Sequence, residues 1–144
     1  WGIKKFCFIN AHQGNVPIIG QISWKLKELY KTQSCQIDWW RFIQPLCKGI
    51  TQYSGVMAHG HAGESGTSCM LNLKSELVKK DKHVIAKPLF KDDYPDIIKN
   101  FEFHKYSNTG NLGDATVASA EKGKLIVDKS IERIVEYLKK EFKL

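Results

Sequence analysis

The chain of 144 residues has the length of one domain, and 42% of its residues are hydrophobic, which is enough to form a core. Its apolar runs are too short to span a membrane and no signal-peptide pattern opens it, so we expect a cytoplasmic protein. The net charge of +7 is of the sign found in proteins that bind nucleic acid. However, the lysines are dispersed and mixed with acids, and we therefore expect neither a nucleic-acid nor a membrane partner.

The four cysteines, Cys7, Cys35, Cys47 and Cys69, are widely spaced and form no CxxC pair. This spacing excludes a zinc ribbon and a thioredoxin motif. We expect buried or incidental reduced thiols, and a nucleophilic cysteine is the less favoured alternative.

The first 42 residues predict strand, loop, helix and strand. Residues 3–9 are basic and then continuously apolar, which is typical of a strand buried on both faces in a parallel sheet. Pro17 lies where a first helical turn tolerates proline, and apolar residues follow at helical spacing. Residues 37–42 predict a second strand, with a loop or short helix after it.

The middle of the chain is less regular. Residues 54–68 hold four glycines and predict a flexible loop. A helix is expected to begin near Thr67 or Ser68, either of which can cap its first turn, and to run to about Leu77. Residues 79–108 carry two prolines and many charges, and they predict an extended or looped segment.

The C-terminal segment has the clearest helical periodicity. Gly113-Asp114 offers an N-cap, and we expect a long amphipathic helix that packs its apolar stripe on the sheet. The stripe consists of Ile131, Ile134, Val135, Leu138 and Phe142. Strands that alternate with helices predict a single α/β domain over residues 1–144, with a mostly parallel sheet.

His12 is the first candidate for chemistry, because it follows a predicted strand and α/β folds bind ligands at strand ends. Gly14 permits close approach of the backbone. Asn10 and Asn15 are able to orient neighbouring groups, as the surroundings of a metal-ligating histidine do.

His61 is the second candidate, because glycines surround it. Glu64 follows three residues later and could form an acid–base pair with it or serve as a further metal ligand. His59, in the same loop, is the alternative that could point inward. These residues alone do not close a metal site, because a catalytic metal needs at least three protein ligands.

Three stretches, in this order, resemble motifs of the creatininase (creatinine amidohydrolase) family. INAHQGNVP resembles the family's strand-end NGHGGN or NGHxEN motif, and HAGESGTSCMLNLKSELV resembles HAGExETSxxLxLxPxLV. GNLGDATVASAEKGKLIVDKSIERIVEYL resembles the family's glycine-rich segment with A-(S/T)-x-E-K-G that runs into the last helix. The resemblance covers nearly all of the chain.

The resemblance implies a metal-dependent amidohydrolase on a three-layer α/β/α sandwich with a mostly parallel sheet. It implies two divalent ions, zinc, manganese or iron, and a small amide or formamide substrate whose carbonyl is attacked by metal-activated water. His12 would be a metal ligand, and His61 would give a proton to the leaving amine. Trp40 is similar to a gating tryptophan of the family, and Asn15 is assigned with it to substrate binding.

The chain departs from the creatinine-hydrolysing members at two glycines. Those members carry a glutamate two residues after the first histidine and another directly before the second, where this chain has Gly14 and Gly60. The chain thus resembles glycine-type members, such as archaeal formamide hydrolases. Glu64 is expected to supply the missing carboxylate as a metal ligand and catalytic residue. Gly66 also replaces a glutamate of the family pattern, so one supporting contact is not expected here.

The family's N-terminal half, with its E-x-H pair and bridging aspartate, has no counterpart in this chain. We therefore expect a truncated or split protein that is inactive alone and that takes its other ligands from the missing half or from a partner chain. An open sheet edge predicts association, and the family implies a homo-oligomer, a hexamer. The alternatives are a non-catalytic remnant or subunit of this fold and, less favoured, a basic domain that binds nucleic acid.

Overall fold

The computed structural model describes residues 2–94, 96, 97, 99 and 102–143. The chain divides into two compact units, of which unit 1 comprises residues 1–46 and 129–144 and unit 2 comprises residues 47–128. The expectation of a single domain stays a prediction. Within the described ranges, no helix has the length and apolarity that are needed to cross a membrane.

Unit 1 contains a βαβ arrangement, as its sequence predicts. Strand β1 (Lys5–Asn10) is followed by helix α1 (Val16–Tyr30) and strand β2 (Gln33–Asp38). The two strands pair in parallel, with Cys7 opposite Cys35. Pro17 lies in the first turn of α1, where its missing N–H costs no helical hydrogen bond. The strand, loop and helix predicted at the start of the chain are therefore confirmed.

The predicted second strand, residues 37–42, is wrong in position. β2 ends at Asp38, and Trp39–Phe42 form the short helix α2. The sequence of β2, QSCQID, is largely polar and lacks the apolar run by which a buried strand is recognised. Its backbone pairing with β1 gives it strand structure despite that composition.

β1 is not buried on both faces, which corrects another expectation. Ile9 is 63% exposed, and among the described residues β1 pairs only with β2. Helix α1 has no buried residue, and its Trp24 and Leu29 are 65% and 70% exposed. Unit 1 therefore presents exposed apolar side chains on both a strand and a helix.

Unit 2 contains helices α3 (Gly55–His59) and α4 (Glu64–Leu73), and a two-stranded antiparallel ribbon of β3 and β4. β3 is Ile85–Ala86, α5 is Phe103–Tyr106 and β4 is Gly113–Asp114. Residues 79–108 are mostly irregular, as predicted, although positions 95, 98, 100 and 101 lie outside the described residues.

Two predicted features of unit 2 are corrected. Part of the expected glycine-rich loop is helical, as α3, and α4 begins at Glu64 rather than near Thr67 or Ser68. Gly63 is the N-cap of α4, and the side chains of Thr67 and Ser68 lie buried within the helix. The sequence pattern favours a hydroxyl cap, but the contacts of Glu64 described below fix the earlier start.

The last helix, α6 (Ala120–Phe142), confirms the predicted C-terminal helix. Gly113-Asp114 does not cap it, because these residues form β4; the Ser119 hydroxyl accepts a hydrogen bond from the Lys122 N–H at 3.2 Å instead. The predicted stripe is covered only in part. Phe142 is buried, whereas Ile131 and Val135 are exposed. Residues 129–142 of α6 belong to unit 1, where the Gln33 side chain donates to the Glu141 carbonyl oxygen at 2.9 Å.

α4 and the start of α6 approach one another backbone to backbone. A Cβ atom added to Gly123 would lie 1.9 Å from the Ser68 carbonyl oxygen, so only glycine fits there. The Ser68 hydroxyl also accepts a hydrogen bond from the Ser119 N–H at 3.1 Å. Small residues on both helices thus allow the contact that closes unit 2.

Replacing Gly123 with alanine should lower the free energy of unfolding by about 1–3 kcal/mol or more, because the added methyl group overpacks a backbone contact. Gly66→Ala is the matched control. A Cβ at Gly66 in α4 meets no atom within 4 Å, so this change should be neutral or stabilise by up to about 1 kcal/mol. Urea denaturation of both variants measures the difference, and equal effects would contradict the close packing of α4 and α6.

Candidate active site

His12 lies just beyond the C-terminal end of β1, as the sequence predicts. The strand ends at Asn10, and a 3₁₀ turn over Gln13–Asn15 follows. The His12 side chain is exposed, and its ring lies against Gly14, where an added Cβ atom would come within 3.0 Å of Nε2. Glycine at this position therefore leaves room for the imidazole.

Asn10 connects His12 to the rest of unit 1. It is 2% exposed, and its side-chain oxygen accepts hydrogen bonds from the His12 N–H at 3.1 Å and from Asn15 Nδ2 at 3.3 Å. Its Nδ2 donates to Asp38 Oδ1 at 2.8 Å. Asn10 thus orients this strand-end loop, as expected, and it also orients Asn15, which is itself exposed.

Asp38 is a residue that the sequence analysis missed. Burial alone would raise the pKa of its carboxyl, but hydrogen bonds from Asn10 and Gln36 and the charge of Arg41 outweigh burial and hold that pKa below its usual value. Asp38 ends β2, so the strand-end rule that selects His12 would have found it had β2 been placed correctly. Trp40 follows two residues later in α2 and is half-buried.

The turn between α3 and α4 carries His61. The Leu112 N–H donates to the His61 carbonyl oxygen at 2.6 Å, and a Cβ atom added to Gly60 would lie 2.0 Å from the Leu112 carbonyl oxygen. The backbone of this turn therefore lies directly on residue 112. Ala62 has a φ of 51°, a left-handed conformation that costs a non-glycine residue about 1–2 kcal/mol. Such strain is concentrated at functional sites in proteins.

The two histidines of this turn differ in environment. His59 is half-buried, with Nδ1 3.0 Å from the Ser65 hydroxyl, and burial lowers its pKa despite the opposing charge of Glu64. The His61 side chain is exposed, and its ring centroid lies 4.5 Å from that of Phe103. His59 is thus the inward-pointing histidine, and His61 is the accessible one. Phe103 begins the short helix α5, and no sequence pattern marks it.

Glu64 has no exposed surface. Its carboxylate accepts hydrogen bonds from the Gln52 N–H at 2.8 and 3.0 Å and from the Tyr53 N–H at 3.0 Å, and Lys122 Nζ lies 2.6 Å from Oε1. The expected role of Glu64 as a metal ligand stays a prediction. The three groups that donate to its carboxylate all belong to unit 2, and they compensate for the hydration that the carboxylate loses on burial. Lys122 is a second residue that the sequence analysis did not single out.

A second buried carboxylate, Asp114, lies near Lys122. Its Oδ1 accepts hydrogen bonds from the Thr116 N–H at 2.8 Å and the Thr116 hydroxyl at 2.6 Å. Burial would raise the pKa of Asp114, but hydrogen bonds from Thr116 and Tyr53 and the charge of Lys122 hold it below its usual value. Unit 2 therefore buries two carboxyl groups, Glu64 and Asp114, around one lysine.

The pKa values of two cysteines, Cys35 and Cys69, argue against a nucleophilic role for them. All four cysteines lie among the described residues and none is in a disulfide, as predicted. Burial raises the pKa of Cys35 and of Cys69 to about 11, so both stay protonated at neutral pH. A nucleophilic cysteine needs the opposite shift.

The candidate metal ligands do not form a complete site. Nowhere in the part of the chain that the structure describes do three His, Cys, Asp or Glu side chains gather as a metal would require. His12 offers an accessible ring nitrogen, but a catalytic zinc needs about three protein ligands. The described residues therefore fit a metal only in part, through His12.

Asn10→Ala should lower the free energy of unfolding by about 1–3 kcal/mol, because it leaves Asp38 and the His12 loop without their shared buried partner. Asn15→Ala is the control and should cost less than about 1 kcal/mol, because Asn15 is exposed and makes a single long bond to Asn10. Urea denaturation at pH 7 measures both variants. Equal losses would show that Asn10 does not hold the loop.

Comparison with known proteins identifies the family and the fold. The family model for creatininase, described as creatinine amidohydrolase, matches residues 1–138, whereas no curated protein matches the chain. A solved creatinine amidohydrolase (creatininase) is 24% identical, with a TM-score of 0.78 over 98% of this chain and 57% of that chain.

Two further solved structures support the same fold. A structure described as "Creatininase Mn" is 24% identical with a TM-score of 0.74, and the match covers 94% of this chain and 56% of that one. A mutant creatininase of Zn-Zn type is 24% identical with a TM-score of 0.73, covering 94% and 55%. The chain spans little more than half the length of these structures. The predicted creatininase-like α/β fold is confirmed, and the chain belongs to the creatininase family.

Proposed function

We propose that this chain is part of an amidohydrolase that cleaves the C–N bond of a small amide or formamide with the help of a divalent metal ion. The observation that carries the proposal is the turn between α3 and α4. In this turn Ala62 has a left-handed backbone conformation, and the His61 carbonyl oxygen accepts a hydrogen bond from the Leu112 N–H. The His61 side chain is exposed and belongs to a motif of the creatininase family. Family membership supplies the reaction class.

His61 acts in this proposal as the group that gives a proton to the departing nitrogen. An amide anion is a very poor leaving group, so protonation by a positioned imidazole raises the rate by a factor of about 10²–10⁴. The exposure of His61 beside the Phe103 ring suits a residue that meets substrate. Asn15 and Trp40, near the end of the β1–β2 sheet, are proposed to contact the substrate.

His12 is proposed as a ligand of the metal, for which an imidazole nitrogen is a common partner. A divalent ion supplies hydroxide near neutral pH and polarises the amide carbonyl. Zinc and manganese are the first candidates, because similar structures are described as Zn-Zn type and as Mn creatininase. Iron is the third candidate.

Formamide-type substrates are favoured over creatinine. A glutamate in place of Gly60, as in creatinine-hydrolysing members, would bring its Cβ within 2.0 Å of the Leu112 carbonyl oxygen. The backbone of unit 2 is thus built around a glycine at that position. The four described cysteines form no disulfide, as suits a reducing compartment, and this supports our further proposal of a cytoplasmic location.

The partner that we propose is the portion of the creatininase fold that this chain does not contain, supplied in the same or in a separate chain. The exposed Ile9, Trp24 and Leu29 of unit 1 offer apolar surface for such a portion. The incomplete set of metal ligands among the described residues has the same explanation. Assembly into a homo-oligomer, the hexamer of the family, is part of this proposal.

The test measures metal content and turnover on the chain alone and after addition of the N-terminal portion of a creatininase. We expect bound metal and turnover only in the reconstituted protein. It should hydrolyse a formamidopyrimidine faster than creatinine. His12→Ala should lose bound metal. His61→Ala should keep the metal but lose turnover by about 10²–10⁴-fold, because only proton transfer is removed.

His104→Ala is the control, because His104 is exposed and pairs only with Glu102 at 3.6 Å among its described contacts. It should leave metal content and turnover unchanged. Undiminished turnover in His61→Ala, or full metal content in His12→Ala, would contradict the proposed roles.

A further inference from the structure

The buried pair of Glu64 and Lys122 joins three segments of unit 2 that are distant in sequence. Glu64 begins α4, Lys122 lies in the first turn of α6, and the backbone N–H groups of Gln52 and Tyr53 precede α3. All of them converge on one carboxylate without exposed surface. Nothing in the sequence pattern predicts this convergence.

The energetics of the pair make it sensitive to either partner. A fully buried carboxylate is costly unless hydrogen bonds and an opposite charge compensate for lost hydration. Here the two backbone donors and the ammonium group together provide that compensation. The Lys122 side chain is only 26% exposed, and its Nζ also donates to the Val117 carbonyl oxygen at 2.8 Å. Removal of one partner would strand the other charge in a poorly hydrated site.

The same contacts surround the His61 turn. Glu64 follows that turn by one residue, and α3, which precedes it, starts just after Tyr53. Lys122 also lowers the pKa of Asp114, which adjoins the backbone at Gly113. A Cβ atom on Gly113 would lie 2.6 Å from the Gly63 Cα atom, so β4 packs directly on the turn. The segments before and after the His61 turn therefore both contact the Glu64–Lys122 pair, and β4 packs against the turn.

We propose that Glu64 and Lys122 are positioning residues, which hold the His61 turn in place through their buried ion pair, and that Glu64 does not serve as a metal ligand. A metal at Glu64 would have to displace Lys122 or the backbone donors, each of which already lies at hydrogen-bond distance. The catalytic purpose of holding His61 rests on the proposed function. The energetic coupling between the Glu64 and Lys122 side chains is independent of the proposed function.

A double-mutant cycle on the full chain tests the coupling. Glu64→Gln and Lys122→Met should each lower the midpoint of thermal unfolding by about 10 °C or more, because each leaves a buried partner uncompensated. The double variant should lose clearly less than the sum of the two losses, because it leaves neither charge stranded. Lys122→Arg should recover part of the loss, because it keeps the positive charge.

Lys124→Met is the matched control. Lys124 lies on the same helix and pairs with Asp128, but the side chains are 68% and 47% exposed. An exposed pair of this kind contributes little, so the midpoint should fall by less than about 3 °C. Strictly additive losses of Glu64→Gln and Lys122→Met would overturn the proposal.

Two further measurements separate positioning from metal binding. In the NMR spectrum, Glu64→Gln and Lys122→Met should both shift the His61 ring protons, which lie beside the Phe103 ring, whereas Lys124→Met should not. In the reconstituted protein, neither variant should change the metal content per folded chain. Loss of metal in Glu64→Gln but not in Lys122→Met, or unshifted His61 protons in both variants, would overturn the proposal. A wild type without metal or turnover would refute only the proposed function, because the cycle is measured without either.

Discussion

A carboxylate with no exposed surface is the constraint on which unit 2 depends. Glu64 can be buried only because two backbone N–H groups and Lys122 meet it, and this requirement fixes the relative positions of three segments. It explains why α4 begins at Glu64 although Thr67 and Ser68 are better caps by sequence. Glu64 directly follows the turn from Gly60 to Gly63, which packs on β4.

The two candidate histidines have similar surroundings, each within its own unit. His12 and His61 are exposed, whereas the residue next to each loop, Asn10 or Glu64, is buried and makes several hydrogen bonds. An exposed imidazole can meet a metal or a substrate, and a buried neighbour limits how far it moves. Preorganisation of this kind reduces the cost of placing a reacting group.

Much of the fold could be predicted from the sequence because the relevant signals are local. The apolar run of β1, Pro17 at the start of α1 and the stripe along α6 each depend on residues within a few turns of one another. The second strand was predicted at residues 37–42 rather than at Gln33–Asp38, because the residues of β2 are mostly polar and its strand structure comes from pairing with β1. The start of α4 was misplaced because a local capping rule competed with contacts from outside the helix.

The candidate site was predictable only in part, for a similar reason. His12 and His61 stand out because glycines and family motifs surround them. Lys122 does not, because it contacts a carboxylate 58 residues away, and a single sequence holds no sign of that pairing. Phe103 contacts His61 from the short helix α5, which the sequence does not predict, and Asp38 was missed because the strand that ends at it was misplaced. The site residues that the sequence did not reveal are thus those whose role depends on contacts between distant residues.

Hydrogen exchange at the backbone amides of Gln52 and Tyr53 tests the central claim most directly, because these amides donate to the buried Glu64 carboxylate from a segment that is neither helix nor strand. If the carboxylate anchors the His61 turn, both amides should exchange as slowly as those in the middle of α4, at a rate set by the unfolding of unit 2. Exchange at the rate of an open loop would show that Glu64 does not hold this segment, and the account would fail.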